Sequence, residues 1–182
     1  MARARGPGKD LSLFARFGHR EGVGCKKMRE WDGYDRRLLA LLQENALATA
    51  EDLARDVALS PSAIARRVRR MREDGTILAD RAVVSGEVGP FLSAMVDVQL
   101  DRHALQPVEE FLRRLERRPE VQVIFELAGP LDLMVLVVVD DMDAFNAFAD
   151  AALGDDPAVR RYETRFVKRR RKFTTAWPIP LD

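Results

Sequence analysis

The chain has 182 residues, of which 47% are hydrophobic and 32% charged, with a formal net charge of +1. This composition supports one domain or two small ones with packed cores and argues against a chain without fixed structure. The longest candidate for a membrane span, LDLMVLVVV at residues 131–139, is too short to cross a bilayer, so we expect no membrane partner. A single cysteine excludes an intrachain disulfide and fits a reducing, cytoplasmic location.

The charges are unevenly distributed along the chain. Residues 1–30 carry eight Lys/Arg and three Asp/Glu, whereas residues 31–182 carry 22 and 26. The body is therefore mildly acidic, and nucleic-acid binding would require local basic patches. We expect residues 1–30 to form a flexible basic extension. Either translation begins at Met28 and the preceding residues are not made, or the extension is an arm that contacts DNA phosphates.

Residues 31–79 are predicted to form a domain of three helices. YDRRLLALLQEN has leucines at helical spacing after Asp32, a residue type that caps helices. TAEDLARDVA follows, and its Thr49 and Asp52 have the spacing of a capping box. These two segments precede a third that has stronger signals at both of its ends.

The third segment, SPSAIARRVRRMREDG, has Ser60 as a candidate cap, Pro61 at the first helical position and Gly75 as a stop signal. Its apolar stripe is predicted at Ile64, Val68 and Met71. The second and third helices are joined by a three-residue turn, the arrangement of a helix-turn-helix.

In a helix-turn-helix the second helix of the pair enters the major groove with its N-terminal residues leading. Arginine can hold guanine with two hydrogen bonds, and serine can donate or accept one. We expect the remaining arginines to lie over phosphates or to pair with Glu73 and Asp74. The competing interpretation is a solvated polar helix face. The predicted DNA-binding residues are Ser60, Ser62, Ala63, Arg66, Arg67, Arg69 and Arg70.

Residues 80–91 are predicted to be a linker strand, RAVVS, and a loop, and residues 92–177 to form a second domain. Its segments follow the order strand, helix, strand, strand, helix, strand, and the last strand, VRRYETRFV, is extended by RKFTTAW. This order is typical of an α+β, ferredoxin-like βαββαβ fold. LDLMVLVVV is apolar on both faces, which predicts a second copy of the chain stacked on the sheet. Residues 178–182 are predicted to be a tail.

Two charged segments remain. The acids of VDDMDAF are better explained by Asp141 capping a helix than by a metal site, so no metal is expected. KRRRK at residues 168–172 is interpreted as charge along the edge of a terminal strand, where it discourages aggregation, with a second DNA contact as the alternative.

Residues 31–177 resemble the Lrp/AsnC family of transcriptional regulators in YDRRLLALLQEN, LSPSAIARRVRRMREDGTI, DRAVV, LAGPLDLMVLVVV and YETRFV. The resemblance implies an N-terminal winged-type helix-turn-helix domain that binds double-stranded DNA. It also implies a C-terminal domain that binds small effectors, usually amino acids. Members resembling this chain assemble as homodimers and often as octamers.

The resemblance also implies an effector site around the turn between the second and third strands of the C-terminal domain. The residues matching it are Gly129, Pro130, Leu131, Asp132 and, in the last strand, Thr164. The chain departs from the family pattern at Leu133, where an aromatic residue is frequent, and at Pro130, which lacks a backbone donor. The alternative is a simple hairpin turn in which Asp132 caps its own backbone.

The resulting hypothesis is a sequence-specific DNA-binding regulator modulated by an amino-acid effector, with no catalytic residue and no cofactor. One alternative is an enzyme resembling siroheme decarboxylases, which share this architecture. That chemistry calls for histidine or arginine in a large cleft, whereas His103 is the single histidine after residue 30. A third hypothesis is an effector-binding partner protein whose helix-turn-helix does not bind DNA.

Overall fold

The computed structural model describes residues 31–101 and 105–181, with the backbone alone at residues 105 and 106. The described chain forms two compact units. One comprises residues 31–84 together with residues 172–181, and the other comprises residues 85–171. The extension at residues 1–30 and the alternative start at Met28 lie outside the described residues.

The first unit contains helices α1 (Gly33–Glu44), α2 (Ala50–Leu53) and α3 (Pro61–Glu73). Asp32 caps α1, since its side chain accepts a hydrogen bond from the N–H of Asp35 at 2.8 Å. Thr49 and Asp52 form the predicted capping box. The segment TAEDLARDVA is helical only as far as Leu53, and the residues that follow form turns and bends.

Helix α3 begins and ends as its sequence predicts. The Ser60 hydroxyl accepts a hydrogen bond from the N–H of Ala63 at 3.3 Å, and Pro61 is the first helical residue. Gly75 has a φ of +76°, a left-handed conformation that a residue with a Cβ rarely adopts. The unit's core is apolar and comes from all three helices and their connections: Leu38, Leu42, Leu53, Val57, Ile64 and Val68.

The strand predicted over residues 81–85 is not formed. Val83 and Val84 are 84% and 64% exposed, and the next regular element is a short 3-10 turn at Gly86–Val88. A strand needs a partner for its backbone groups, and the described residues provide none for this segment.

The second unit consists of β1 (Leu92–Leu100), α4 (Leu105–Leu115), β2 (Val121–Glu126), β3 (Leu133–Val139), α5 (Met142–Ala149) and β4 (Val159–Phe166). Its sheet has the order β2-β3-β1-β4, and every neighbouring pair is antiparallel. This is the predicted ferredoxin-like arrangement, in which β1 and β3 occupy the centre.

One face of this sheet carries the core of the unit. Alternate residues of β1 and β3 are fully buried there, and Phe111, Phe148 and Leu153 pack in the same cluster. The chain continues from α5 into a wider helical turn at Asp150–Gly154, which includes Leu153. Burial of these aromatic and aliphatic side chains is the main stabilising term of the unit.

Two predictions for this unit are wrong. The helical spacing of Met142 with Phe145 and Phe148 predicts that all three side chains face the core, whereas Met142 is 46% exposed. Helical periodicity sets the direction of a side chain but not whether other parts of the chain cover the first turn. RKFTTAW does not extend the sheet, since β4 ends at Phe166 and residues 167–181 contain no strand. No helix among the described residues is long and apolar enough to cross a membrane.

The contrast along α5 gives a test of this core. Phe148→Ala removes a side chain that is 3% exposed and should lower the free energy of unfolding by about 3–5 kcal/mol. Met142→Ala, on the same helix, should change it by less than about 0.5 kcal/mol. Urea denaturation followed by circular dichroism measures both, and similar losses in the two variants would contradict the assigned core.

Candidate nucleic-acid interface and effector turn

Helix α3 carries two sets of arginines on different sides, one exposed to solvent and one half-buried against α1. At about 100° per residue, Ser62, Arg66 and Arg69 fall on one stripe, opposite the buried stripe of Ile64, Val68 and Met71. The three residues of the outer stripe are exposed. They form the face of α3 that points away from the unit's core.

Arg67 and Arg70 lie on the adjacent side of α3 and meet a buried carboxylate. Asp35 of α1 is only 4% exposed. One of its oxygens accepts a hydrogen bond from Arg67 at 2.7 Å, and the other accepts one from Arg70 at 2.9 Å. Since both oxygens of the buried charge have a cationic donor, this cluster links α1 to α3 through charge-assisted hydrogen bonds.

Arg67 has a second acidic partner in Asp32, at 2.8 Å, and lies over the ring of Tyr34, 5.8 Å from its centroid. The hydrogen bond to Asp35 is the main cause that raises the pKa of Arg67 above its usual value. The pKa of Asp32 is lowered, chiefly by the backbone N–H of Asp35 and also by Arg67. Both side chains therefore remain charged near neutral pH.

Sequence reasoning missed Asp35, the acid that Arg67 and Arg70 share. One signal was available, because Asp35 falls at helical spacing with the buried Leu38 and Leu42 on the inward stripe of α1. A carboxylate at such a position needs a cationic partner, and α3 supplies two. Arg72, by contrast, pairs with the exposed Asp80 at 3.1 Å.

The predicted base-reading residues at the start of α3 differ in availability. The Ser60 oxygen is already used as the helix cap and lies 3.2 Å from the Ser62 hydroxyl oxygen. Ser62 is exposed, whereas Ala63 is half-buried. Ser62 and Arg66 are therefore the polar side chains of this first part of α3 that face solvent.

The turn between β2 and β3 is tied to the end of β1 by Asp132. Its side chain accepts a hydrogen bond from the N–H of Leu100 at 2.9 Å, and its own N–H donates to the carbonyl of Val98 at 3.0 Å. Its carbonyl closes the turn by accepting from the N–H of Leu127 at 2.8 Å. The Asp132 carboxylate thus supports the backbone of a neighbouring strand rather than of its own hairpin.

Gly129 and Pro130 are the exposed tip of that turn, and Leu131 is half-buried behind them. Gly129 does not have a positive φ, and a Cβ built on it would meet nothing within 4 Å. Neither backbone conformation nor crowding within this chain therefore requires glycine at this position.

The structure does not bring Thr164 to this turn. Thr164 lies on β4 opposite Val96 of β1, on the side of the sheet that the helices cover. β1 separates β4 from β3, so the turn and Thr164 are about 10 Å apart across the strands alone. A site including both would have to span this distance.

Removing the buried carboxylate should cost stability in proportion to its burial. Asp35→Ala leaves two cations at the α1–α3 contact without their acid, and we expect it to lower the free energy of unfolding by about 2–3 kcal/mol. This lies below the 3–5 kcal/mol of fully buried pairs because Arg67 and Arg70 are partly exposed. Asp80→Ala, which breaks an exposed pair with Arg72, is the control and should cost less than about 1 kcal/mol. Equal losses in urea denaturation would contradict the role of Asp35.

Two family models match successive parts of the chain. Residues 32–72 match the AsnC-type helix-turn-helix domain, and residues 93–177 match the Lrp/AsnC ligand binding domain. The second match begins near the start of β1 and extends beyond β4.

Individual relatives cover most of the chain. An HTH-type transcriptional regulator of Sinorhizobium fredii is 33% identical over 153 residues, 84% of this chain and 90% of the relative. The DNA-binding transcriptional activator DecR of Escherichia coli is 29% identical over 81% of this chain and 98% of its own. A transcriptional regulator of Neisseria meningitidis, solved as its L-Met complex, is 32% identical with a TM-score of 0.74, covering 82% of this chain and 97% of its own. This chain therefore belongs to the Lrp/AsnC family of transcriptional regulators.

Proposed function

We propose that the protein is a transcriptional regulator that binds operator DNA through α3 and responds to an amino-acid effector at the β2–β3 turn. The observation that carries the first part is the outer stripe of α3. Ser62, Arg66 and Arg69 are exposed together, opposite the core, on the second helix of a helix-turn-helix. This is the geometry that places side chains against base edges in a major groove.

Within this proposal the residues of α3 have different roles. Arg66, near the start of the helix, reads a base edge, and Ser62 beside it donates or accepts a hydrogen bond. Arg69, one turn further, contacts phosphate. Arg67 and Arg70 act as positioning residues, because Asp35 already holds their guanidinium groups and so fixes α3 on α1.

The functional unit in this proposal is a homodimer formed through the open face of the sheet. Met95 of β1 lies opposite Leu136 of β3, and Met134 lies opposite Phe125 of β2, so these side chains share the face that the helices do not cover. Phe125 is 53% exposed there. A second copy stacked on this face would remove the apolar side chains from water. Two α3 helices would then enter successive major grooves, roughly 34–36 Å apart.

Support for the effector comes from the turn itself and from the relative solved as its L-Met complex. The space around Gly129 at the tip of the turn is open, so a ligand can reach the backbone there. The Asp132 carboxylate beside it is suited to an α-ammonium group. Because Thr164 lies two strands away, the site on one chain is the turn, and a neighbouring copy would complete it.

An enzymatic function on this architecture has weaker support. The relatives are named as transcriptional regulators, and the outer stripe of α3 suits DNA rather than a substrate cleft. We infer a cytoplasmic location, where the DNA partner is found.

Arg66→Ala should weaken binding to the DNA upstream of the protein's own gene far more than binding to scrambled DNA of equal length. Loss of a two-pronged contact to guanine costs about 1–3 kcal/mol on the specific site. Fluorescence anisotropy measures both affinities, with sedimentation equilibrium confirming that the variant keeps the parent's oligomeric state. The control is Arg81→Ala, an exposed arginine in the linker. Equal losses on both DNAs would leave α3 as a phosphate contact without sequence reading.

Asp132→Asn separates effector binding from support of the turn. The amide oxygen of asparagine can still accept the hydrogen bond from Leu100, so the turn should persist, whereas the charge that meets an α-ammonium group is lost. With L-methionine as the probe, calorimetric titration should show binding to the parent that weakens at least tenfold in the variant. Unchanged affinity would exclude Asp132 as the ammonium partner. Circular dichroism of both proteins checks that the fold is retained.

A further inference from the structure

The longest run of basic residues in the chain lies outside both family domains' regular elements. Residues 168–172, KRRRK, directly follow the end of β4, and all five are exposed. No acidic residue occurs from residue 167 to residue 181. Because the run is not part of a strand, protection of a sheet edge no longer accounts for it.

The segment after the run belongs to the helix-turn-helix unit. The side-chain amide of Gln43 on α1 makes two hydrogen bonds to the backbone of Trp177. Its amide nitrogen donates to the Trp177 carbonyl at 3.0 Å, and its oxygen accepts from the Trp177 N–H at 2.6 Å. Near the chain end, Leu181 lines a cavity of about 520 Å³ together with Tyr34 and Val57. The two hydrogen bonds between Gln43 and Trp177 therefore hold the tail to this unit.

The charge of the unit explains why such a run would be useful. Residues 31–84 contain nine arginines and nine acidic residues, so their formal charges cancel. Arg67, Arg70 and Arg72 are moreover already paired with acids. A DNA duplex presents one negative charge per about 1.7 Å of its axis, and neutralising phosphates supplies most of the sequence-independent affinity. Because their formal charges cancel, residues 31–84 supply this attraction through local contacts such as the one proposed for Arg69 rather than through net charge.

The Gln43–Trp177 pair sets how far the run can lie from α1. Lys172 and Lys168 precede Trp177 by five and nine residues, which span at most about 17 Å and about 31 Å even when fully extended. Lys172 is part of the unit that carries α3, whereas residues 168–171 belong to the sheet unit and are joined to Lys172 along the chain.

We propose that residues 168–172 are a second DNA contact, a sequence-independent phosphate clamp connected to the helix-turn-helix unit by the tail that Gln43 holds at Trp177. The proposal rests on the proposed function, because it assumes that α3 binds duplex DNA. Phosphate contacts position a protein without reading bases, so the clamp adds affinity and salt dependence but no sequence preference.

The test is a salt titration of DNA binding by the full chain. The double variant R169Q/R171Q removes two charges from the run, and R113Q/R117Q removes two exposed charges from the other unit as the matched control. Each lost phosphate contact lowers the slope of log affinity against log salt by about 0.9, so the run variant should lose about 1.8 per protomer, or about 3.6 for the homodimer. The control should retain the parent's slope. The affinity ratio between operator and scrambled DNA should stay the same in all three proteins.

A run variant with the parent's slope would overturn the proposal, as would equal reductions in the run variant and the control, which would reflect net charge alone. Failure of the proposed function looks different, because the parent itself would then bind neither DNA, or would bind both equally. In the case of equal binding, the slopes still decide whether the run contacts phosphates.

Gln43→Ala tests the tether separately. It deletes the side chain that holds Trp177 while leaving every charge in place, so the slope should fall toward that of R169Q/R171Q. A parent-like slope would overturn the role of Gln43. Light scattering on each variant ensures that compared slopes refer to one oligomeric state.

Discussion

Asp35 and its two arginines form the interaction on which the DNA-binding unit depends. Because the carboxylate is buried on α1, it needs cationic donors, and it obtains them from the same side of α3. This fixes the rotation of α3 about its own axis, so that Arg66 and Arg69 face outward. Asp35 thus holds Arg67 and Arg70 against α1, whereas Arg66 and Arg69 of the same helix remain exposed to solvent.

In the second unit, the main features are an uncovered face of the sheet and a turn that is hydrogen-bonded to a neighbouring strand. Helices cover one face of the sheet, and Leu136 and Phe125 on the other face remain partly exposed. Asp132 joins the β2–β3 turn to the end of β1, which makes the turn a defined part of the sheet rather than a loose connection. The effector site proposed at this turn therefore rests on a backbone that hydrogen bonds to β1 hold in place.

The distribution of charge differs between the helix-turn-helix and the tail. The helix-turn-helix unit has no net charge in residues 31–84, because each arginine is matched in number by an acid. Local stripes can then read DNA without strong attraction to every polyanion. Basic residues in a tail held by Gln43 would supply attraction to DNA phosphates, while α3 recognises the bases. Substitutions could then change the overall affinity for DNA without changing the sequence preference.

The sequence by itself determined the features that depend on neighbours a few residues apart. The caps at Asp32, Thr49 and Ser60, the stop at Gly75 and the order of strands and helices follow from local hydrogen bonds and periodicity, and the structure has them. Only the tertiary structure decided which arginines Asp35 would hold, since these partners are 32 and 35 residues away. It likewise decided that residues 81–85 and 167–181 form no strand and that Trp177 meets Gln43. These outcomes depend on which distant groups are free to pair, and a periodic pattern carries no information about that.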